Sequence, residues 1–371
     1  MQALKALSAK QPSKKKALMI GGGAPNASLM AGALVAFIKQ GVEFDVISTS
    51  GAGAVMGLLY TVPRDATPEE ALENWVNVGV ADPIYNGFPI NYKVFMKPGP
   101  QAQMFRDLLD LNPLARQIMN EAGDNRLQRL FSDWMQLAWA TVSPSNLTPQ
   151  SKGLCAHVPW IGQLVDFAKM KDVKPEFYMN AYNVTQHFMQ IWGKEDVTLD
   201  HFRATLSFPY IYPPYRLGED EYIEGAAIDT LNFKALVSDD PRHHACARDV
   251  DTLVVFDVLG SDKLIRPPRD LYDAWVLSII IPLVEIAKDD VRLFELVHNR
   301  NPDGSEKRRL LKVDLMGGIP DDHWPEVLDW SSSNLRLLYK TGFNAGLKFC
   351  KEHADALNID YKASVKPMQL A

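Results

Sequence analysis

Cysteine is scarce in this chain: three in 371 residues, Cys155, Cys246 and Cys350, far apart and with no C-x-x-C spacing. That excludes a disulfide framework and a zinc cluster of paired cysteines, and it fits a reducing compartment. Long hydrophobic runs are missing too. The longest, Ala274 to Ala287 (AWVLSIIIPLVEIA), carries Ser278, Pro282 and Glu285 and falls short of the roughly 20 apolar residues that a membrane-spanning helix needs. A buried or membrane-touching helix is expected there. Positive charge is not in excess, because 39 Lys and Arg against 45 Asp and Glu leave a net charge of −6. Nucleic acid is therefore not an expected partner. The one basic run, Lys14-Lys15-Lys16, closes a polar leader without a continuous apolar core, so the leader does not read as a secretory signal. Residues 1–16 are expected as a flexible tail on a cytoplasmic protein.

What is present is a globular balance, 47% hydrophobic and 23% charged, arranged as short apolar runs alternating with helical spacing. Residues 17–20 (ALMI) lead straight into Gly21-Gly22-Gly23, a strand ending in a glycine loop. Residues 27–39 repeat at helical spacing until Gly41, a second strand runs from Phe44 to Thr49, and a helix follows Ser50. Strand, loop, helix, strand, elbow, helix is the opening of a parallel α/β sheet. From about residue 67 to about 174 amphipathic helices with Trp75, Trp134, Trp139 and Trp160 predict a helical insertion over the sheet's active edge. Strands resume at 176–183 and 187–192 as a pair across a short turn, and another runs from Thr252 to Leu259. From about 269 the chain reads as mostly helical, interrupted by NRNPDGSEKRR and the strand-like LLKVDLM. The expected architecture is one α/β domain over residues 17–371, with a mainly parallel central sheet flanked by helices. No internal repeat or low-complexity linker divides it.

The chemistry concentrates in residues 44–57, FDVISTSGAGAVMG. A strand that stops on a serine among small residues can turn sharply enough to push the hydroxyl out of the backbone, which makes Ser50 the candidate nucleophile. The pattern G-x-S-x-G is met loosely, with Ser48 and Ala52 in the glycine places. A serine hydroxyl needs a neighbouring base, and a carboxylate within hydrogen-bond reach serves without histidine. The oxyanion of acyl transfer needs fixed N–H donors, and a triple glycine opening a helix offers several.

Three pieces stand in one order: GGGAPN at 21–26, STSGAG at 48–53 and EGAAIDTLN at 224–232. Together they resemble the patatin-like acyl hydrolases, and the passage ATLSFPYIYPPYRLGEDEYIEGAAIDTLN at 204–232 looks more like that family than any single motif. The similarity covers roughly residues 15–260. In the family a G-G-G-x-R-G loop forms the oxyanion hole, the serine of G-x-S-x-G is the nucleophile, and the aspartate of a D-G-G or D-G-A turn completes a dyad. The resemblance implies a patatin-like three-layer fold and a serine acyl hydrolase that cleaves lipid-like carboxylic esters without metal or cofactor. It implies catalytic Ser50 and Glu224, an oxyanion hole at Gly22, Gly23 and Ala24, an acyl ester or lipid as substrate, and contact with a membrane at its periphery. It leaves the oligomeric state open.

The departures are specific. Pro25 and Asn26 replace the family's arginine and glycine, which removes one N–H and a phosphate-binding side chain. Glu224 is one methylene longer than the family's aspartate. These changes define a second expectation, a patatin-like protein that binds acyl lipid or a partner without turnover. Asp229 is expected to be structural, as a cap. A dinucleotide fold fails because G-x-G-x-x-G is broken at Asn26 and no acid closes the second strand. A Ser-Asp-His triad through Asp229 and His243 or His244 has the right chain order, but its elbow would come after several strands and not after the second. The sequence His243-His244-x-Cys246 is expected as a loop.

Overall fold

In the computed structural model the residues described are 15–23, 26–79, 81–83, 161–209, 214–243, 247, 249–267, 271–321, 323 and 329–370, with positions 111, 127, 130, 131 and 134. Most of the helical insertion, including Trp139 and Trp160, lies outside them, as do Ala24, Pro25, Cys155, His244, Cys246 and the tail up to residue 14.

The sheet contains β1 (Lys16–Ile20), β2 (Val46–Ser50), β3 (Glu176–Asn183), β4 (Phe188–Gly193), β5 (Tyr215–Leu217), β6 (Asp220–Glu224), β7 (Thr252–Phe256) and β8 (Arg309–Lys312). The strand order is β5-β6-β3-β2-β1-β7-β8, and β4 pairs with β3. Strands β3, β2, β1, β7 and β8 are parallel to their neighbours, whereas β4 and β6 run antiparallel to β3. β1 (KALMI) and β7 (TLVVF) read as nearly unbroken apolar runs because both of their faces are covered, as parallel sheets require, whereas β2 (VISTS) is equally buried but ends in three polar residues. Alternation assigns the faces. Leu18, Ile20, Ile47, Phe177 and Phe256 join one core, and Ala17, Met19, Val46, Tyr178 and Val255 join the other with Phe233, Leu236 and Phe294. The result is the three-layer α/β arrangement implied by the sequence.

Helices α1 (Ala27–Gln40), α2 (Ala52–Thr61), α3 (Pro68–Glu73), α4 (Leu199–Thr205), α5 (Leu271–Leu293) and α6 (Ser332–Glu352) complete the frame. α1 is buried over nearly its whole length and stops at Gly41, whose φ of 76° is the left-handed conformation that favours glycine. α1 and α6 cross in backbone contact: a methyl group on Gly342 would overlap the Leu29 carbonyl, and one on Gly32 would overlap that of Tyr339. Gly342→Ala is therefore expected to destabilise the chain by about 1–3 kcal/mol in urea unfolding, since the added carbon forces two packed helices apart. The apolar run at 274–287 is the middle of α5, which continues through Pro282 and buries Leu283, Val284 and Ala287. Among the described residues no helix is long and apolar enough to cross a membrane.

Candidate active site

β3 acts as the template that assembles the site. Along one edge it pairs with β4 over residues 178–183, so β6, which pairs with 181–183, must continue the other edge beyond the end of β2. β2 ends with Ser50 opposite Asn180, and β6 arrives from the opposite direction with Glu224 opposite Ala181. Two strands thus meet head to head, and the strand-to-helix turn after β2 lies against the end of β6.

The residue in that turn is Gly51. Its φ of 51° and ψ of −128° lie in territory that residues with a Cβ rarely enter. α2 begins at the next residue. Ser50 is the last strand residue, is fully buried, and donates its hydroxyl to the main-chain carbonyl of Asp229 at 2.9 Å. Ser48, two residues back on the same face, donates likewise to the Asn232 carbonyl at 3.1 Å. The Asn180 side chain donates to the Asp229 carbonyl at 3.1 Å, and that of Asn232 to the Thr49 carbonyl at 3.3 Å. These bonds fasten the loop after Glu224 to the sheet, and Ser50 takes part in them. The sharp elbow is present, but its apex is one residue beyond the serine expected there.

Glu224 occupies the apex. A methyl group placed on Gly51 would overlap Glu224 Oε1 and stand 2.8 Å from its Cδ and 2.9 Å from the Ala226 Cβ. The same Oε1 would lie 3.7 Å from a methyl group on Gly22. The carboxyl therefore fills the space that a side chain at the turn would need, between the glycine loop and the first turn of α2. Glu224 is 7% exposed, and its carboxyl receives no hydrogen bond among the described residues. Burial pushes its pKa up to about 8, so the group is largely protonated at neutral pH.

The glycine loop is used differently from residue to residue. Gly21 and Gly22 donate their N–H groups to the carbonyls of Phe256 (2.9 Å) and Thr230 (3.2 Å). The Gly22 N–H, expected in an oxyanion hole, is thereby engaged inside the protein. Gly23 has φ of 119°, backs onto Val258 and Leu259, and keeps its N–H without an acceptor among the described residues. Ala24 lies outside the described residues. Further donors come from α2, whose first-turn N–H groups at Ala52 and Gly53 have no acceptor within the helix and no side-chain cap. Gly53 is itself a contact residue: a methyl group there would overlap the Ile20 and Gly21 carbonyls, so only glycine lets α2 pass this close to the end of β1. At the start of α1, Asn26 is 1% exposed and both polar atoms of its amide lack a partner among the described residues.

Around this centre the polar groups are structural. Asp229 accepts the Asn232 N–H at 2.9 Å and pairs with Lys234 at 2.5 Å; it closes a turn and is not the helix cap expected, since the short helix from Lys234 has Phe233 at its N-cap and no side-chain cap. Asp290 on α5 accepts both the N–H and the hydroxyl of Thr230, at 2.7 and 2.8 Å, and burial together with the Asp229 charge raises its pKa to about 6. His243 lies between the Ser238 hydroxyl and the Met189 carbonyl, away from any triad. Trp75 is buried, with its indole N–H on Ser28, while Trp134 is exposed. No group of three metal-binding side chains occurs among the described residues.

Sequence reasoning missed Gly51, Asn180 and Asp290. A signal for the first was available: Gly53 is the glycine that admits the helix, and counting back two residues from it reaches Gly51. No curated protein matches the chain. The structure aligns with the crystal structure of VipD from Legionella pneumophila at a TM-score of 0.36 and 13% identity, over 93% of this chain and 68% of that one. The profile of the patatin-like phospholipases, a family of lipid acyl hydrolases that includes inactive members, matches residues 18–237, more than half of the sequence. The chain belongs to the patatin-like phospholipase family.

Proposed function

We propose that this chain holds acyl lipids at a site whose chemical group is the Glu224 carboxyl, and that no serine acyl-enzyme forms. The observation that carries the proposal is the exchange at the elbow: Gly51 stands at the apex, and Glu224 Oε1 takes the volume of the missing side chain. Family membership supports the lipid class. The extra methylene of glutamate over aspartate carries the carboxyl toward the turn, so glycine at the apex and glutamate at the end of β6 act as one change. Contact with a membrane belongs to the proposal, through the exposed Leu293, Leu296 and Val297 at the end of α5 and the turn after it. Replacing these three by serine should reduce co-sedimentation with liposomes.

A second reading keeps Ser50 and Glu224 as a hydrolytic dyad, with Gly22, Gly23 and Ala24 as the oxyanion hole. One observation favours it: the register sets Ser50 and Glu224 opposite consecutive residues of β3. It requires the Ser50 hydroxyl to leave the Asp229 carbonyl and enter a space it does not now reach, and the Gly22 N–H to leave Thr230. The test is a phospholipid with a fluorescent acyl chain. We expect saturable binding with no acyl release. Release that a fluorophosphonate abolishes would establish the dyad instead.

A further inference from the structure

We infer that the Glu224 carboxyl and the N-terminus of α2 together form a receptor for the carboxyl head of a free fatty acid, in preference to an ester. The inference rests on the acyl-lipid reading above and names the head group. Two independent features point to it. The ten-residue α2 ends in main-chain N–H groups at Ala52 and Gly53 with no cap, a setting that favours a negative oxygen. Against its N-cap, Gly51, lies the carboxyl of Glu224, a residue more than nine-tenths buried whose side chain receives no hydrogen bond among the described residues. A ligand that supplies an acceptor or donor to this carboxyl completes bonds that the described residues leave unmade.

The chemistry of the pair selects the head group. A protonated Glu224 has one O–H to donate, and a fatty-acid carboxylate is a strong acceptor, so one proton is shared between two carboxyl groups. The second ligand oxygen is then free for the α2 and Gly23 N–H groups. An ester carbonyl accepts more weakly and carries no charge for the helix end. Glu224 being protonated near neutrality, as its burial dictates, supplies that proton. Burial is the cause of this state; no charged side chain among the described residues contributes to it, and the α2 N-terminus opposes it. On its own strand, Asp220 is bonded to Asn183 and Gln186, and Glu221 lies on the far side of Ile223 in sequence. On the loop and α5, Asp229 is paired with Lys234 and Asp290 with Thr230, while α2 presents no acid in its first turn.

The experiment compares oleic acid with methyl oleate by calorimetry on the full chain. Near pH 7 the acid should bind about tenfold tighter or better, and above about pH 8 its affinity should fall by about tenfold per pH unit as Glu224 ionises. Glu224→Gln, which keeps a donor but cannot ionise, should retain the preference and lose the pH dependence, and Glu224→Ala should lose both. Equal affinity for acid and methyl ester, or an unchanged affinity for the acid between about pH 7 and 9.5, would overturn the inference and leave the acyl-lipid reading standing. Failure of both probes to bind would overturn the acyl-lipid reading itself.

Discussion

Glu224→Gln is expected to hold, at about pH 9, stability that the wild-type chain loses. The sign follows from linkage. A carboxyl whose pKa is raised on folding, here from its ordinary 4.5 to about 8, binds its proton more tightly in the native state than in the unfolded one. Its contribution is fully present below the unfolded pKa, declines as pH rises between the two values, and is gone above the folded one. At 1.4 kcal/mol per pH unit that decline amounts to about 4–5 kcal/mol, a large part of a domain's net stability. Asp290 is raised in the same direction, but only to about 6, so its window closes before that of Glu224 does. The difference between variant and wild type isolates Glu224 from it. Urea unfolding across the pH range should show the two proteins close together near pH 4.5 and diverging toward pH 9 in favour of the variant. Parallel curves would mean that the carboxyl sits in water.

The second large effect is a coupling. Gly51→Ser should destabilise by about 3 kcal/mol or more, because it adds a Cβ at positive φ and drives it into Glu224 Oε1. In the double variant Gly51→Ser/Glu224→Asp the carboxylate withdraws by one methylene, and most of the steric part should return. Only the backbone strain, about 1–3 kcal/mol, should remain. A double-mutant cycle by urea unfolding should give a coupling of about 2 kcal/mol, within the range of residues in direct contact. Additive losses would place Glu224 away from the apex.

How far the sequence foretells this molecule depends on whether a feature is local. α1 and its stop at Gly41, the β3–β4 pair, and the opening β1-α1-β2-α2 unit can all be read from apolar spacing and glycine, because each element is specified within its own residues. The position of Glu224 at the end of a strand is readable for the same reason. The apex is not, because a serine that ends a strand and a serine that tops an elbow differ by one residue of backbone path. What decides between them is distant: the carbonyl of Asp229 that takes the Ser50 hydroxyl, and the carbonyls of Ile20 and Gly21 that only Gly53 can approach. The engagement of the Gly22 N–H by Thr230 is likewise a contact between segments far apart in the chain. The insertion's role over the sheet is an expectation from composition, since most of its residues lie outside those described.

The most direct test of the central claim, that Gly51 and the Glu224 carboxyl together replace the serine of the elbow, is peptide mapping by mass spectrometry after treatment with a fluorophosphonate. The reagent phosphonylates a serine only where an activated hydroxyl projects into an open, anion-binding site. Wild type and Gly51→Ser/Glu224→Asp would be treated side by side. The account predicts no adduct on the wild-type chain and an adduct at position 51 of the double variant. An adduct on Ser50 of the wild-type chain would contradict it.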